Sequence, residues 1–114
     1  MSEANIQRAI LDALGRIGAF AMRVQSGKVK VRGGWMQLAP AGTPDILVLV
    51  PPTGFSLWLE VKTATGEERE SQLVFANKAR RRGAGVQTVR SVAEAVSAYL
   101  DAKAAQEASS RNRG

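Results

Sequence analysis

The fold is decided by residues 42–62, which read GTPDILVLVPPTGFSLWLEVK. The apolar, β-branched run at residues 46–50 predicts a buried strand. The Pro-Pro-Thr-Gly segment at residues 51–54 is typical of a turn, because proline fixes φ and glycine permits a positive φ. Residues 55–63 predict the strand that returns from this turn. The stretch is therefore expected to form a β-hairpin.

The turn fixes which residues face each other across the hairpin. If the turn consists of those four residues, Val50 pairs with Phe55, and counting outward places Asp45 opposite Glu60. Lys62 lies on the same face, because side chains alternate along a strand. This face also carries Leu47, Leu49, Ser56 and Trp58. The other face is wholly apolar and is expected to be core: Ile46, Val48, Val50, Phe55, Leu57, Leu59 and Val61.

The opposed carboxylates of Asp45 and Glu60 are the main chemical signal. Like charges directly opposite each other destabilise a strand pair. A divalent cation between them removes that cost, and carboxylate oxygens suit Mg²⁺ or Mn²⁺. The alternative is that both acids flank the sheet end in solvent, with Lys62 as their salt-bridge partner. The hairpin by itself leaves both interpretations open.

Composition limits the classes of function. The 114 residues suit a single domain. The sequence shows no apolar run long enough to span a membrane and no signal peptide, so the protein is expected in the cytoplasm. The chain has no cysteine and no histidine, which excludes disulfides, thiolate or imidazole metal sites and histidine bases. The net charge of +6 favours a polyanionic partner, nucleic acid first. An inert basic surface is the alternative.

The rest of the chain predicts helices and strands around the hairpin. In chain order we expect a helix at 3–18, a strand at 19–25, a Gly-Gly hairpin of strands at 28–32 and 35–38, a helix at 71–82, a strand at 86–90 and a helix from Val92 to about Ala105. The expected fold is α/β (α+β), a mixed sheet flanked by helices in the order α-β-β-β-β-β-α-β-α. Residues 1–106 form the predicted domain, and residues 107–114 a disordered polar tail.

Basic side chains concentrate in two places. Arg23, Lys28, Lys30 and Arg32 are expected to project towards phosphates, the alternative being an edge strand protected by its lysines. Arg80, Arg81 and Arg82 form either a phosphate-binding patch or a helix end that complements the macrodipole. Two polar residues near helix starts are also candidates. Glu3 either adds a third carboxylate or favours its helix dipole, and Gln72 either orients a ligand or is an exposed polar residue.

Taken together, Gly42-Thr43-Pro44-Asp45, then Glu60-Val61-Lys62, then Gln72 on the next helix resemble the PD-(D/E)XK nuclease superfamily. Within it the chain resembles the VRR-NUC group most, and small stand-alone members of that group occur in bacteriophages and bacteria. The resemblance covers nearly the whole chain and implies a restriction-endonuclease-like core.

The resemblance also implies roles for single residues. Asp45, Glu60 and the carbonyl of Val61 would bind Mg²⁺ or Mn²⁺, and Lys62 would orient the attacking water and stabilise phosphate charge. Glu3 matches an acid that family members carry on the first helix.

Two glutamines also match the family: Gln72, and Gln7, which matches a recurrent glutamine one turn after the helix acid. The implied function is a metal-dependent deoxyribonuclease that is structure-selective for junctions or flaps. Cutting two strands needs two active sites, so we expect a homodimer, formed through an apolar patch on the Trp35 hairpin or on a helix. A non-catalytic nucleic-acid-binding module of the same fold is the alternative.

Overall fold

The computed structural model describes residues 1–112. Its elements are α1 (Glu3–Arg16), β1 (Phe20–Arg23), β2 (Lys28–Val31), β3 (Gly34–Gln37), β4 (Ile46–Val50), β5 (Phe55–Val61), α2 (Glu70–Arg81), β6 (Gly85–Val89) and α3 (Val92–Arg111). The predicted order and fold class are confirmed. None of the helices in residues 1–112 combines the length and apolar character needed to cross a lipid bilayer.

The strands form two separate sheets. The main sheet has the order β1-β4-β5-β6, with β6 parallel to β5 and the other pairs antiparallel. Val50 pairs with Phe55 and Leu47 with Trp58, which is the register that the turn predicts. Strands β2 and β3 form a two-stranded hairpin of their own, outside the mixed sheet. Four of the six strands in the described residues therefore form the main sheet, and the other two stand apart from it.

One face of the main sheet is the hydrophobic core. Six side chains of the predicted core face of β4 and β5 are buried, namely Ile46, Val48, Val50, Leu57, Leu59 and Val61. Helices α1 and α3 pack on this face and on each other. Each buried aliphatic side chain contributes roughly 1.5–3 kcal/mol relative to an exposed one. The core thus fixes which side chains of the hairpin remain on the other face.

The other face is only partly covered. Helix α2 packs on the β6 side, where the rings of Phe75 and Trp58 meet edge to face at 5.3 Å. Over β1 and β4 the same face is open, and Phe20, Met22 and Leu49 are 64%, 37% and 37% exposed. Because β1 is also an edge strand, this corner of the molecule is an unpartnered apolar surface.

Three large apolar residues on the helices are exposed. Ile17 lies at the C-cap of α1, beyond its last full turn. Leu73 is exposed because α2 packs against the rest of the protein on one side only, where Ala76 is its buried residue. Leu100 is exposed because α3 turns Ala95, Ala98 and Tyr99 towards the sheet.

Helix α3 is longer than the sequence suggests. It continues past Ala105 to Arg111, so residues 107–111 are helical where a disordered tail is predicted. Alanine, glutamine and glutamate favour helix strongly, and Thr53 donates a hydrogen bond to Gln106 Oε1 at 2.5 Å, which ties this part of α3 to the β4–β5 turn. The remainder of the predicted tail, residues 113–114, lies outside the described residues. The division into a domain and a tail otherwise stays a prediction.

Candidate active site

A cavity of about 380 Å³ lies where β4 begins and β5 ends. Five of the predicted site residues line it: Glu3, Asp45, Glu60, Lys62 and Gln72. The rest of the wall comes from Ser26, Gly27, the loop at residues 41–43, Arg69 and Ser71. The N-terminal ends of α1 and α2, the stem of the β2–β3 hairpin and the end of the β4–β5 hairpin therefore meet in one place.

Asp45 is held by the backbone around it. Its Oδ2 accepts a hydrogen bond from the Val61 amide at 2.8 Å, and its carbonyl accepts one from the Val24 amide at 2.8 Å. Burial raises the pKa of the Asp45 carboxyl, and the hydrogen bond from Val61 opposes that rise. The carboxylate is thus fixed across the end of β5, beside Glu60.

Glu60 is buried and only half satisfied. Its Oε1 accepts a hydrogen bond from Gln72 Nε2 at 2.5 Å and lies 3.7 Å from Lys62 Nζ. Its Oε2 is buried and has no hydrogen-bond partner. Burial, followed by the negative charge of Asp45, raises the pKa of Glu60 from 4.5 to about 7, although Lys62 opposes the rise. A single ammonium group therefore does not compensate both acids.

A close backbone contact positions Gln72. Gly42 has φ +89°, and a Cβ at this position would overlap the carbonyl of Ser71 in the first turn of α2. Only glycine allows this approach, since it combines a positive φ with the absence of a side chain. Gln72 Oε1 accepts from the Arg69 amide at 2.7 Å, which turns its NH₂ group towards Glu60. The loop before Asp45 thus fixes the position of the N-terminal end of α2 relative to Glu60.

The geometry matches a known domain. A solved structure described as a VRR_NUC domain aligns with 83% of this chain and 90% of its own length, with a TM-score of 0.59 and 24% sequence identity. The chain has the VRR_NUC fold. Comparisons with protein-family models and with curated proteins gave no match. The resemblance predicted from the sequence is therefore confirmed by the structure at the level of the fold.

Within this VRR_NUC fold, the two central acids fit a cation. Asp45 and Glu60 offer hard oxygen ligands, and the unpartnered Oε2 of Glu60 has no protein group to compensate it. Glu3 lines the same cavity, and its charge raises the pKa of both acids. Yet residues 1–112 contain no group of three acids close enough to hold a metal ion. The structure thus gives two converged carboxylates with a third acid at the cavity wall.

The other predicted residues lie around the cavity or farther away. Val61 contributes its amide to Asp45, while its side chain lies in the core. Gln7 is half-buried on α1 and does not line the cavity. The exposed basic residues of β1 and the β2–β3 hairpin are Arg23, Lys28, Lys30 and Arg32. Their role in binding stays a prediction.

The arginines at the end of α2 are partly engaged with the backbone. Arg80 donates to the Val86 carbonyl at 2.7 Å and Arg82 to the Lys78 carbonyl at 3.0 Å, whereas Arg81 is exposed. The bond from Arg82 lies within the last turn of α2, whereas the bond from Arg80 ties the helix to β6. Arg80 and Arg82 nevertheless remain exposed, so a role in phosphate binding stays a prediction.

Sequence reasoning missed several residues of the wall. Arg69 lies within the charged run Glu67–Glu70, which predicts only a polar loop. Arg90 lies outside the cavity wall but supports a neighbouring loop, and the sequence gives no signal for it either. Its guanidinium donates to the carbonyls of Thr63 and Gly66 at 2.6 and 2.7 Å and so fastens the loop that follows Lys62. No local sequence pattern predicts such contacts, because they join segments that are distant in sequence.

Proposed function

We propose that this protein is a metal-dependent nuclease that hydrolyses phosphodiester bonds in DNA. The observation that carries the proposal is the buried Glu60 beside Asp45 and Lys62, with Oε2 of Glu60 left without a partner. Three further features support it: the VRR_NUC fold, the net charge of +6 and the basic hairpin next to the cavity. We also propose selectivity for branched DNA such as junctions or flaps, as the resemblance implies.

Asp45 and Glu60 would hold Mg²⁺ or Mn²⁺, with Glu3 and the carbonyl of Val61 as further candidate ligands. A bound divalent cation supplies charge neutralisation for the phosphate and activation of water. Lys62 keeps its ammonium group 3.7 Å from Glu60 Oε1, where it is positioned to stabilise the negative charge that develops on the phosphate. Gln72 is a positioning residue, because its hydrogen bond leaves the other oxygen of Glu60 free.

A panel of labelled DNA substrates tests the proposal. Linear duplex, flap, splayed-arm and four-way substrates of matched sequence are incubated with Mg²⁺ or Mn²⁺, with EDTA as the control. We expect cleavage that requires the metal, and a loss of roughly 100-fold or more in the Lys62→Ala variant. Stronger cleavage of the branched substrates supports the proposed selectivity. Metal-independent binding without turnover in the wild type contradicts the enzyme and favours a non-catalytic binding module.

We further propose that two copies associate through the open apolar corner of the main sheet. Phe20 and Leu49 are directly paired neighbours there, and both are exposed. Exposed apolar patches on a sheet face are typical of interaction surfaces, and a two-fold pair would supply one active site for each DNA strand.

Sedimentation velocity tests this association. We expect a dimer for the wild type and a monomer for Phe20→Glu, since a buried carboxylate opposes the interface. Leu100→Glu, at an equally apolar exposed position on α3, is the control and should remain dimeric. A wild type that sediments as a monomer at high micromolar concentration contradicts the proposal.

A further inference from the structure

Trp35 is an exposed aromatic residue with no structural role that the fold explains. It lies on β3 and is 68% exposed. In the register of the hairpin it is directly opposite Lys30, so the indole and the ammonium group project from the same face. Lys28 lies two positions before Lys30 on β2 and shares that face. The hairpin thus presents an aromatic ring flanked by positive charges.

The charge around Trp35 selects the kind of partner. Between Asp12 and Asp45 the sequence contains no acidic residue, and the segment that includes the hairpin carries only basic charges. A second copy docked on this face would oppose lysine with lysine, which is unfavourable. A polyanion, by contrast, is electrostatically complementary, and an exposed aromatic ring between phosphate contacts is the arrangement used to bind single-stranded nucleic acid.

The stem of the hairpin is part of the active-site wall. Ser26 and Gly27, immediately before β2, line the cavity with Asp45 and Glu60. The stem is closed by hydrogen bonds from the Gly27 amide to Ala39 at 2.9 Å and from the Leu38 amide to Gly27 at 2.8 Å. Lys30, which pairs with Trp35, is three residues beyond Gly27, so the backbone of this pair lies roughly 10 Å along the strand from the cavity wall. A strand of nucleic acid bound in the cavity is therefore within reach of the hairpin.

We propose that Trp35 stacks on an unpaired base of the DNA while Lys28 and Lys30 contact its phosphates. This inference rests on the proposed nuclease function and specifies its substrate class, namely DNA with single-stranded nucleotides beside the cleaved bond. Bases in an intact duplex are already stacked on their neighbours and are not available to the ring, whereas an unpaired base offers its face. Trp35 accordingly discriminates in favour of flaps, splayed arms and other discontinuities.

Equilibrium binding in EDTA tests the inference without requiring catalysis. Fluorescence anisotropy is measured for a labelled single-stranded oligonucleotide and for a duplex of the same sequence. We expect Trp35→Ala to weaken single-strand binding about 10-fold and duplex binding less than about 2-fold. Trp35→Phe should recover most of the lost affinity. Met36→Ala, which removes an exposed side chain from the opposite face of the hairpin, should bind like the wild type.

The salt dependence separates stacking from charge. Trp35→Ala should leave the slope of log K against log salt concentration unchanged, whereas Lys30→Gln should reduce it by about 0.7 for the single strand. Unchanged melting temperatures confirm that the variants are folded. The inference is overturned if Trp35→Ala binds like the wild type, or if it weakens both forms of DNA equally. If the wild type cleaves DNA, either of these binding results overturns the role of Trp35 but leaves the nuclease proposal intact. If the wild type does not cleave DNA and Trp35→Ala still weakens single-strand binding selectively, only the nuclease proposal is refuted.

Discussion

Glu60→Gln is expected to abolish DNA cleavage and at the same time to stabilise the metal-free protein at pH 8. The substitution keeps the shape of the side chain and an oxygen for the hydrogen bond from Gln72, but it removes the charge that would bind the cation. We expect cleavage to fall by at least about 100-fold, the size of effect seen when a main electrostatic contribution to a transition state is lost.

The gain in stability follows from the raised pKa of Glu60. Its value of about 7 in the folded protein, against 4.5 ordinarily, means that the folded state holds the proton more tightly than the unfolded state. The contribution of Glu60 to the stability of the metal-free protein should therefore be fully present below pH 4.5. It should be lost as the pH rises from 4.5 through about 7. The full difference corresponds to up to about 3 kcal/mol. The amide introduced by Glu60→Gln cannot ionise, so the variant escapes this cost.

Urea unfolding in EDTA at pH 5 and pH 8 measures the effect. The wild type should lose stability between the two values, and the Glu60→Gln variant should lose less. Glu67→Gln, at an exposed acid in the loop before α2, is the matched control and should behave like the wild type in both cleavage and unfolding. A Glu60→Gln variant that is less stable than the wild type at pH 8, or that cleaves DNA normally, contradicts the assigned role.

Gly42→Ala is expected to produce the largest loss of stability among single-methyl substitutions in the chain. The new Cβ combines two costs, a side chain at φ +89° and an overlap with the carbonyl of Ser71. Strain of each kind typically costs about 1–3 kcal/mol, so we expect a loss of about 3 kcal/mol. Relief of the overlap requires α2 to move away from the loop, which carries Gln72 away from Glu60, and cleavage should fall more than unfolding alone explains.

Gly54→Ala provides the matched control for this experiment. Gly54 has φ +80°, but nothing lies within 4 Å of the position where its Cβ would be. This variant therefore carries only the conformational cost, about 1 kcal/mol, and should retain full activity. Urea unfolding of both variants in the same buffer isolates the contact with Ser71. Equal losses of stability in the two variants would show that the contact does not constrain α2.

Features set by neighbouring residues could be predicted from the sequence, whereas contacts between distant segments could not. The pairing of Val50 with Phe55, and with it the approach of Asp45 to Glu60, could be predicted because the turn sets the register and the alternation of side chains sets the face. The contact of Gly42 with Ser71 could not, because it joins a loop to a helix about thirty residues away and leaves no periodic signal. The anchoring of the loop after Lys62 by Arg90 escaped for the same reason.

Helix environments explain the other differences. An apolar stripe predicts that a helix has a buried side, but not how much surface its neighbours offer. Leu73 is exposed because α2 packs only towards β6, and Leu100 because α3 turns Ala95, Ala98 and Tyr99 towards the sheet. The strand pattern of the Gly33–Gly34 hairpin correctly predicts β2 and β3, yet nothing in it indicates that the pair stands apart from the main sheet. That separation places Trp35 in the open.

Anomalous diffraction from crystals soaked in Mn²⁺ locates the ion and so decides whether Asp45 and Glu60 bind it together. We expect a peak in the cavity with oxygens of both Asp45 and Glu60 at roughly 2.0–2.3 Å. The peak should disappear in the Glu60→Gln variant. Carboxylates that turn away from each other, or Mn²⁺ bound only elsewhere on the protein, would show that these two side chains do not form one metal site.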